Sequence, residues 1–287
     1  MKQLIIGYLI LFGVVIAFDR TSLSNVEQFR IAIMQDQPGS AEKFMPVLEY
    51  LSKKGINATF AVAKDYPAAA GMFAVGSVDA MFSGSGVAGF MILKDLAIPA
   101  VRPVDKDGHS TYWAVVIAKK GASKFTGSAE YFSGKRVTFT SLASSGDFYF
   151  HSLPGVENVN ARELNVASHG AAIEAVSKGL ADVAIVKNRV WDTLKNNYPD
   201  LTMVGEDKGE NPDGTLIIST NVPSVLAAKV ADALLGVKDD PSTVAAAVRK
   251  TLGIQGFIRT TPQDFEHTLS LLKKADVTKR FNVAPHP

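Results

Sequence analysis

The chain has 287 residues, 47% of them hydrophobic and 20% charged, and a formal net charge of +2 from 30 basic and 28 acidic residues. That length suffices for one large domain or two smaller lobes with buried cores. The near balance of charge gives no broad attraction for nucleic acid or an anionic membrane, so any anion binding must come from a local site. The absence of cysteine excludes thiol catalysis, disulfides, cysteine-ligated zinc and a lipid-modified N-terminal cysteine. The five histidines, His109, His151, His169, His267 and His286, show no HxxxH or HExxH spacing, so no catalytic metal is expected.

Residues 1–24 read as a signal peptide or an N-terminal anchor. Met1-Lys2 gives a short positive start, and Leu4 to Phe18 is a charge-free apolar run. As a helix that run would extend about 22 Å, short of the ~30 Å hydrocarbon core of a bilayer, which favours a signal over a spanning helix. Small residues before a cut, Val15 and Ala17 or Ser22 and Ser24, do not form a clean site, so an uncleaved anchor stays open. Either reading places the remainder outside the cytoplasm.

Phe29 to Met34 predicts a strand, followed by turn-prone Asp36-Gln37-Pro38-Gly39-Ser40. Ser40 can cap a helix with Glu42 in its first turn, an apolar face of Phe44, Val47, Leu48 and Leu51, and a stop at Gly55. A strand at Asn57 to Ala63, a helix at Ala68 to Val75 and a strand at Val78 to Phe82 complete a β-α-β-α-β run. Farther along, the pattern predicts a brief helix at Ser128 to Phe132, a strand at Arg136 to Thr140 and a helix at His169 to Ser177 closed by Gly179. A strand at Asp182 to Val186 and helices at Ser224 to Leu235 and Pro241 to Leu252 follow. Tyr112 to Ala118 and Thr215 to Ser219 read as two strand crossings between lobes. The expectation is an α/β chain of two lobes, residues 28–116 with 216–287 and residues 117–215, each a mainly parallel sheet with flanking helices. The ligand site would lie in the cleft between them.

Three segments could carry chemistry. Leu142-Ala143-Ser144-Ser145-Gly146-Asp147 follows a strand and opens a helix, where hydroxyls beside free backbone N–H groups can cradle an anion, or Ser can simply cap. Ala167-Ser168-His169-Gly170 also opens a helix, and its imidazole can donate to an oxyanion or serve as a surface residue. Gly84-Ser85-Gly86-Val87-Ala88-Gly89 matches GxGxxG with Asp105 about twenty residues on, a dinucleotide spacing. It does not open the chain, however, and sits behind an export signal. Tyr66 and Tyr112-Trp113 lie near element ends, where core packing is the plainer role. No GxSxG elbow or paired carboxylates stand out, which argues against an enzyme.

Taken in order, these stretches resemble the phosphonate, phosphite and phosphate binding proteins of ABC importers, which have a type II periplasmic-binding-protein fold. The resemblance runs from about Arg30 to Arg259. It is carried by Asp65-Tyr66, Val78-Asp79-Ala80 leading to Ser83-Gly84, Gly108 through Tyr112-Trp113, and Ser144-Ser145-Gly146. Ser168-His169 with Ala172-Ile173-Glu174-Ala175-Val176 and Gly179-Leu180-Ala181-Asp182-Val183-Ala184 is its most specific part. It implies that Ser144, Ser145 and His169 hold the oxyanion and that Tyr66, Ser83, Ser85 and Tyr112 line the pocket. It further implies two lobes closing on a small anion, a membrane permease as partner, a monomer, and no cofactor, metal or nucleic acid. Two departures stand out. Ala143 replaces a hydroxyl residue in the anion loop. Arg189 falls where aminoalkylphosphonate binders carry a Glu, so it would repel an amine and attract further anionic oxygens, with Asp213 as the surviving loop acid. The alternative on the same fold is a membrane-tethered ligand sensor for a signalling receptor; a periplasmic enzyme ranks below both.

Overall fold

The computed structural model describes residues 28–34, 41–63, 66–140 and 144–280. The signal or anchor, the Ser40 cap and Ala143 lie outside the described residues. Among the described residues no helix is long and apolar enough to cross a membrane.

The chain begins with β1 (Phe29–Met34), α1 (Met45–Lys53), β2 (Ala58–Ala63), α2 (Tyr66–Ala74), β3 (Ala80–Ser83), α3 (Ser85–Leu93) and β4 (Ala97–Asp105). Two-residue β5 (Thr111–Tyr112) leads to β6 (Ala114–Lys119), β7 (Arg136–Thr140), α4 (Ser145–His151), β8 (Arg162–Val166), α5 (His169–Ser177), β9 (Val183–Lys187), α6 (Asn188–Leu194) and β10 (Leu201–Glu206). Two-residue β11 (Asn211–Pro212) precedes β12 (Thr215–Ser219), α7 (Ser224–Leu235), α8 (Thr243–Leu252), β13 (Ile254–Arg259), α9 (Glu266–Lys274) and α10 (Val277–Arg280).

Two sheets result, ordered β13-β4-β12-β3-β1-β2 and β10-β6-β9-β7-β8. The expected parallel pairing is present in β2-β1-β3 and in β8-β7-β9. Each sheet then continues antiparallel, through β12, β4 and β13 in the first and through β6 and β10 in the second, so both are mixed. The passage between sheets differs from the sequence expectation. β6 lies in the second sheet from Ala114 onward, and β12 is a central strand of the first. The chain crosses instead at the β5–β11 ribbon, whose four residues pair only with one another (Asn211 with Tyr112, Pro212 with Thr111). A segment so short belongs to neither sheet and is suited to bending between them.

Residue alternation explains the layers. In β12, Leu216 and Ile218 face the cluster under α1, α7 and α8, with Tyr50, Leu51, Val230, Leu234 and Val248, while Ile217 faces the opposite cluster. β9 alternates in the same way: Val183 and Ile185 pack toward Phe139 and Phe148, Ala184 and Val186 toward Ile173, Val176 and Trp191. Strands covered on both faces read as continuous apolar runs, which is why Val-Ala-Ile-Val has no polar alternation. Each sheet also carries the same clasp. Arg30 of β1 holds Asp79 at 3.1 Å, and Arg136 of β7 holds Asp182 at 2.8 Å. In both cases the aspartate also accepts from the arginine's backbone N–H, at 2.7 and 2.8 Å.

The helix α9 packs on α3 of the first sheet and on α4 of the second. A Cβ at Gly89 would lie 2.6 Å from Leu272 Cδ1, so this glycine sets how closely α3 and α9 approach. That accounts for one glycine of the GxGxxG match. The strand–turn–helix context of the motif exists, but the neighbour of β3 on one side is the antiparallel β12 and Asp105 is engaged by Arg189. The segment is not a dinucleotide fingerprint.

Candidate functional site

Strand ends and helix starts from both sheets meet between the lobes. From the first sheet, β3 delivers Ser83, whose hydroxyl donates to the Gly84 carbonyl at 3.0 Å, and Gly84 opens α3 with no side-chain cap. An uncapped first turn leaves its N–H groups available to an anion. Ser85 is fully buried and its hydroxyl shares a short hydrogen bond with the Tyr112 hydroxyl, which ties the start of α3 to the crossing ribbon.

From the second sheet, Ser144 and Ser145 have separate roles. The Ser144 hydroxyl accepts from the Asp147 N–H at 3.3 Å and donates to the Thr140 carbonyl at 2.8 Å, so it is a helix cap. Ser145 is 2% exposed, and its hydroxyl has no hydrogen-bond partner among the described residues. Gly146 brings this helix start down onto β9: a Cβ there would sit 2.4 Å from the Ile185 carbonyl oxygen. Ser168 caps α5 through the Ala171 N–H at 3.1 Å. His169 follows, with its Nδ1 buried and unpartnered. Burial, seconded by the nearby Lys187 ammonium, pushes the His169 imidazole down to about 3, against the opposing pull of Asp213. The ring is therefore neutral at physiological pH.

Lys187 ends β9 and sits over the Tyr112 ring, 4.2 Å from its centroid. Its Nζ lies 2.6 Å from Asp213 Oδ1. Arg189 reaches Asp213 at 3.3 Å and also forms a short ion pair with Asp105 of β4. Burial would raise the Asp213 pKa, but Lys187 and Arg189 hold it below its usual value. The Arg189 guanidinium is thus placed between two carboxylates. This changes the expectation that it recruits further anionic oxygens: Asp105 and Asp213 already supply them. Asn188 fixes the same corner, donating its backbone N–H to the Trp113 carbonyl at 3.0 Å and accepting the Trp113 N–H on its side chain at 3.1 Å.

A cavity of about 340 Å³ opens beside these groups. Its lining combines the polar residues Lys43, Ser83, Lys187 and Asp213 with Gly84, Gly214 and Pro103 and with the apolar Ile33, Phe44, Phe82, Leu252, Ile254 and Phe257. Of the residues expected from sequence, Ser83 and Asp213 line this cavity. Ser85 and Tyr112 are bonded to each other next to the lining residues Gly84 and Lys187, Ser145 and His169 do not line it but carry polar atoms without a partner among the described residues, and Ser144 caps α4. The Tyr66 side chain lies outside the described part of the chain. Lys187 escaped the sequence reading, although a lysine closing the apolar run Val183-Ala184-Ile185-Val186 at the carboxyl end of a strand is the available clue. Among the described residues, Asp105, Asp107 and His109 bring three potential metal-ligating atoms within 4.8 Å. Asp105 there accepts the backbone N–H groups of Asp107 and His109, at 3.0 and 2.8 Å, and pairs with Arg189, which accounts for its geometry without an ion.

Residues 29–265 match the family described as "ABC transporter, phosphonate, periplasmic substrate-binding protein". No curated protein matches the chain by sequence. Among solved structures, XAC2383 from Xanthomonas citri is similar in two forms, with a TM-score of 0.70 in each. The chloride-bound form is 18% identical, covering 88% of this chain and 98% of that one; the ATP-bound form is 17% identical, covering 88% and 97%. PhnD1 from Prochlorococcus marinus, solved with methylphosphonate, aligns with a TM-score of 0.68 at 16% identity over 88% of this chain and 100% of that one. A binding-protein component of an ABC phosphonate transporter from Pseudomonas aeruginosa aligns with a TM-score of 0.64 at 18% identity, covering 89% of each chain. These likenesses establish a type II periplasmic-binding-protein fold, and the family match extends over most of the chain. The chain belongs to the periplasmic substrate-binding proteins of phosphonate ABC transporters, a solute-binding component rather than an enzyme.

Proposed function

We propose that this protein captures a phosphonate-type oxyanion between its lobes and delivers it to the permease of an importer. The observation that carries this reading is the pair of buried polar atoms without a partner among the described residues, Ser145 Oγ and His169 Nδ1, at helix starts of the second sheet, the latter near the Lys187 ammonium. A buried polar group without a partner costs free energy, about 1–3 kcal/mol, and an incoming phosphonyl oxygen would relieve it. Ser145 donates its O–H. His169, neutral and carrying its proton on Nδ1, donates a second hydrogen bond, and Lys187 supplies the charge. Each charge-assisted bond contributes about 1.5–3 kcal/mol, and a micromolar complex needs about 8 kcal/mol net. The first lobe adds Ser83 and the uncapped start of α3, so closure of the two lobes completes the shell of donors. The methylphosphonate bound to PhnD1 supports the same ligand class. Residues 1–24 fit the export or tethering that this role requires.

The test is a thermal-shift and calorimetric screen of phosphate, phosphite, methylphosphonate, 2-aminoethylphosphonate, sulfate and carboxylates. A ligand at 100 times its Kd stabilises the fold by about 2.7 kcal/mol. A shift with phosphonates that fails in His169→Ala is the expected result. Binding of 2-aminoethylphosphonate should be weaker than that of methylphosphonate, because Lys187 and Arg189 already hold Asp213 and leave it little capacity for an ammonium group. No shift with any phosphorus oxyanion would sink the reading.

A further inference from the structure

The cleft contains more than an oxyanion requires. Besides Lys43, Ser83, Lys187 and Asp213, the same cavity is lined by Phe44, Phe82 and Phe257, with Ile33, Leu252 and Ile254. The three rings form a continuous strip: Phe44 and Phe82 have centroids 5.2 Å apart at 38°, and Phe82 and Phe257 lie 6.3 Å apart at 35°. Phe44 also meets Phe60 edge-on at 6.2 Å. Phe257 is buried, whereas Phe44 and Phe82 are half-buried and turn part of their surface to the cavity.

The strip has a local origin. Phe82 and Ser83 are the last two residues of β3, so the strand's end brings an aromatic and a polar group to the same cavity. Phe44 comes from the 3-10 turn before α1, and Phe257 from β13. A bare phosphate or phosphite seated against Lys187 would leave this wall facing water. The cavity volume of about 340 Å³ instead falls within the range of pockets that hold whole organic ligands, about 300–1,000 Å³.

We infer that the natural ligand is an organic phosphonate or phosphate ester carrying an aromatic or similarly flat apolar group, with its oxyanion toward Lys187 and its ring against Phe44, Phe82 and Phe257. The inference rests on the oxyanion reading above and adds the substituent. Flat rings stack offset or edge-on against aromatic side chains at centroid distances of about 4.5–7 Å, the spacing the strip already uses internally. The strip also continues the apolar cluster of the first lobe, so a ring there extends an existing core outward.

The experiment is isothermal titration of the purified protein with methylphosphonate, phenylphosphonate and cyclohexylphosphonate, repeated on Phe44→Ala and on Phe82→Leu. Phenylphosphonate should bind about tenfold more tightly than methylphosphonate, with the cyclohexyl compound between them. In both variants the ratio of phenyl to methyl affinity should fall toward one; two substitutions at different elements guard against a local folding defect in either. Methylphosphonate binding as well as or better than phenylphosphonate overturns the inference while leaving the oxyanion reading standing. So does a phenyl preference that survives both substitutions. Absence of binding by all three overturns the inference, and if phosphate and phosphite also fail to bind the oxyanion reading falls with it.

Discussion

The two lobes are braced alike and lined differently. Arg30 with Asp79 in the first and Arg136 with Asp182 in the second form the same clasp between the first strand of a parallel triplet and the turn into its third. Yet the second lobe brings Lys187 to the cavity, with the unpartnered Ser145 and His169 at its helix starts, while the first brings a strip of phenylalanines together with Ser83 and Lys43. On the reading proposed above, a common scaffold would divide the work, with Lys187 serving the oxyanion and the phenylalanines its substituent. A ligand that satisfies one wall alone gains only part of the available energy, and that is the physical basis for coupling recognition to closure.

Four changes break or sharpen this contrast, taken from the largest expected effect downward. Lys187→Met should weaken phosphonate binding about 100-fold, because it removes the charge-assisted bond and leaves Asp213 with Arg189 as its remaining cationic partner. Titration calorimetry reads this directly, and a loss below about threefold would mean that charge is not read by the second lobe.

Next come the two glycines that set close approaches. Gly146→Ala should destabilise the fold by about 1–3 kcal/mol, since its Cβ meets the Ile185 backbone carbonyl, which cannot rotate away. Gly89→Ala should cost less, because the atom in its way is the end of the Leu272 side chain. Urea unfolding of the two variants compares the rigidity behind each wall. Equal costs would contradict the assignment of the tighter support to the second lobe.

Ser145→Ala separates recognition from folding. Its hydroxyl has no partner among the described residues, so stability should stay level or rise slightly while phosphonate affinity falls about tenfold. A matched loss of stability and affinity would instead make Ser145 a structural residue.

The smallest effects concern pH, and the two partly buried histidines, His151 and His169, should act in opposite senses. At His151 burial opposes the charge, but Asp147 and Glu163 hold the imidazolium, pushing its pKa up to about 9. The folded value lies above the unfolded ~6.5, so this contribution is complete below pH ~6.5 and disappears as pH rises through about 9. At His169 the folded value is depressed to about 3, so stability is lost as pH falls below ~6.5 toward that value. Denaturation between pH 5 and 9.5, with His151→Gln and His169→Ala as references, should show the two slopes with opposite sign. Addition of a phosphonate should flatten the His169 slope, because an anion stabilises its protonated form.

Much of the frame was legible in the sequence. Phe29–Met34, Arg136–Thr140, His169–Ser177, Thr215–Ser219 and Ser224–Leu235 are bounded as the residue patterns predict, because each combines a clear apolar period with a capping or stopping residue. β4 was not legible: Ala97–Asp105 contains Pro99 and Pro103, which normally argue against a strand. It is accommodated by irregular registers against β12 and β13, and those long-range pairings leave no local trace. β8 is a largely exposed strand without alternation, and β10 is interrupted by a register shift at Met203 to Gly205. At the site, Ser144, Ser145 and His169 stood out because they open helices. The division of labour between a capping Ser144 and an unpartnered Ser145 depends on rotamers that no spacing encodes. Lys187 was overlooked because its role arises from contacts with Tyr112 and Asp213, 75 and 26 positions away. The aromatic strip is assembled from three separate elements in the same way.

The position of β12 has a consequence for the order in which the chain can be built. The second sheet draws all its strands from residues 114–206, an uninterrupted stretch that can close on itself as soon as it emerges. The first sheet cannot, because its third strand from the β13 edge, lying between β4 and β3, arrives only at Thr215. Until then β3 and β4 have no neighbour to join them, and the N-terminal segment remains open with its apolar surfaces uncovered. Contacts of such long sequence separation form slowly. The strands β1 to β3 are thereby joined to β4 only after every strand of the second sheet has been made.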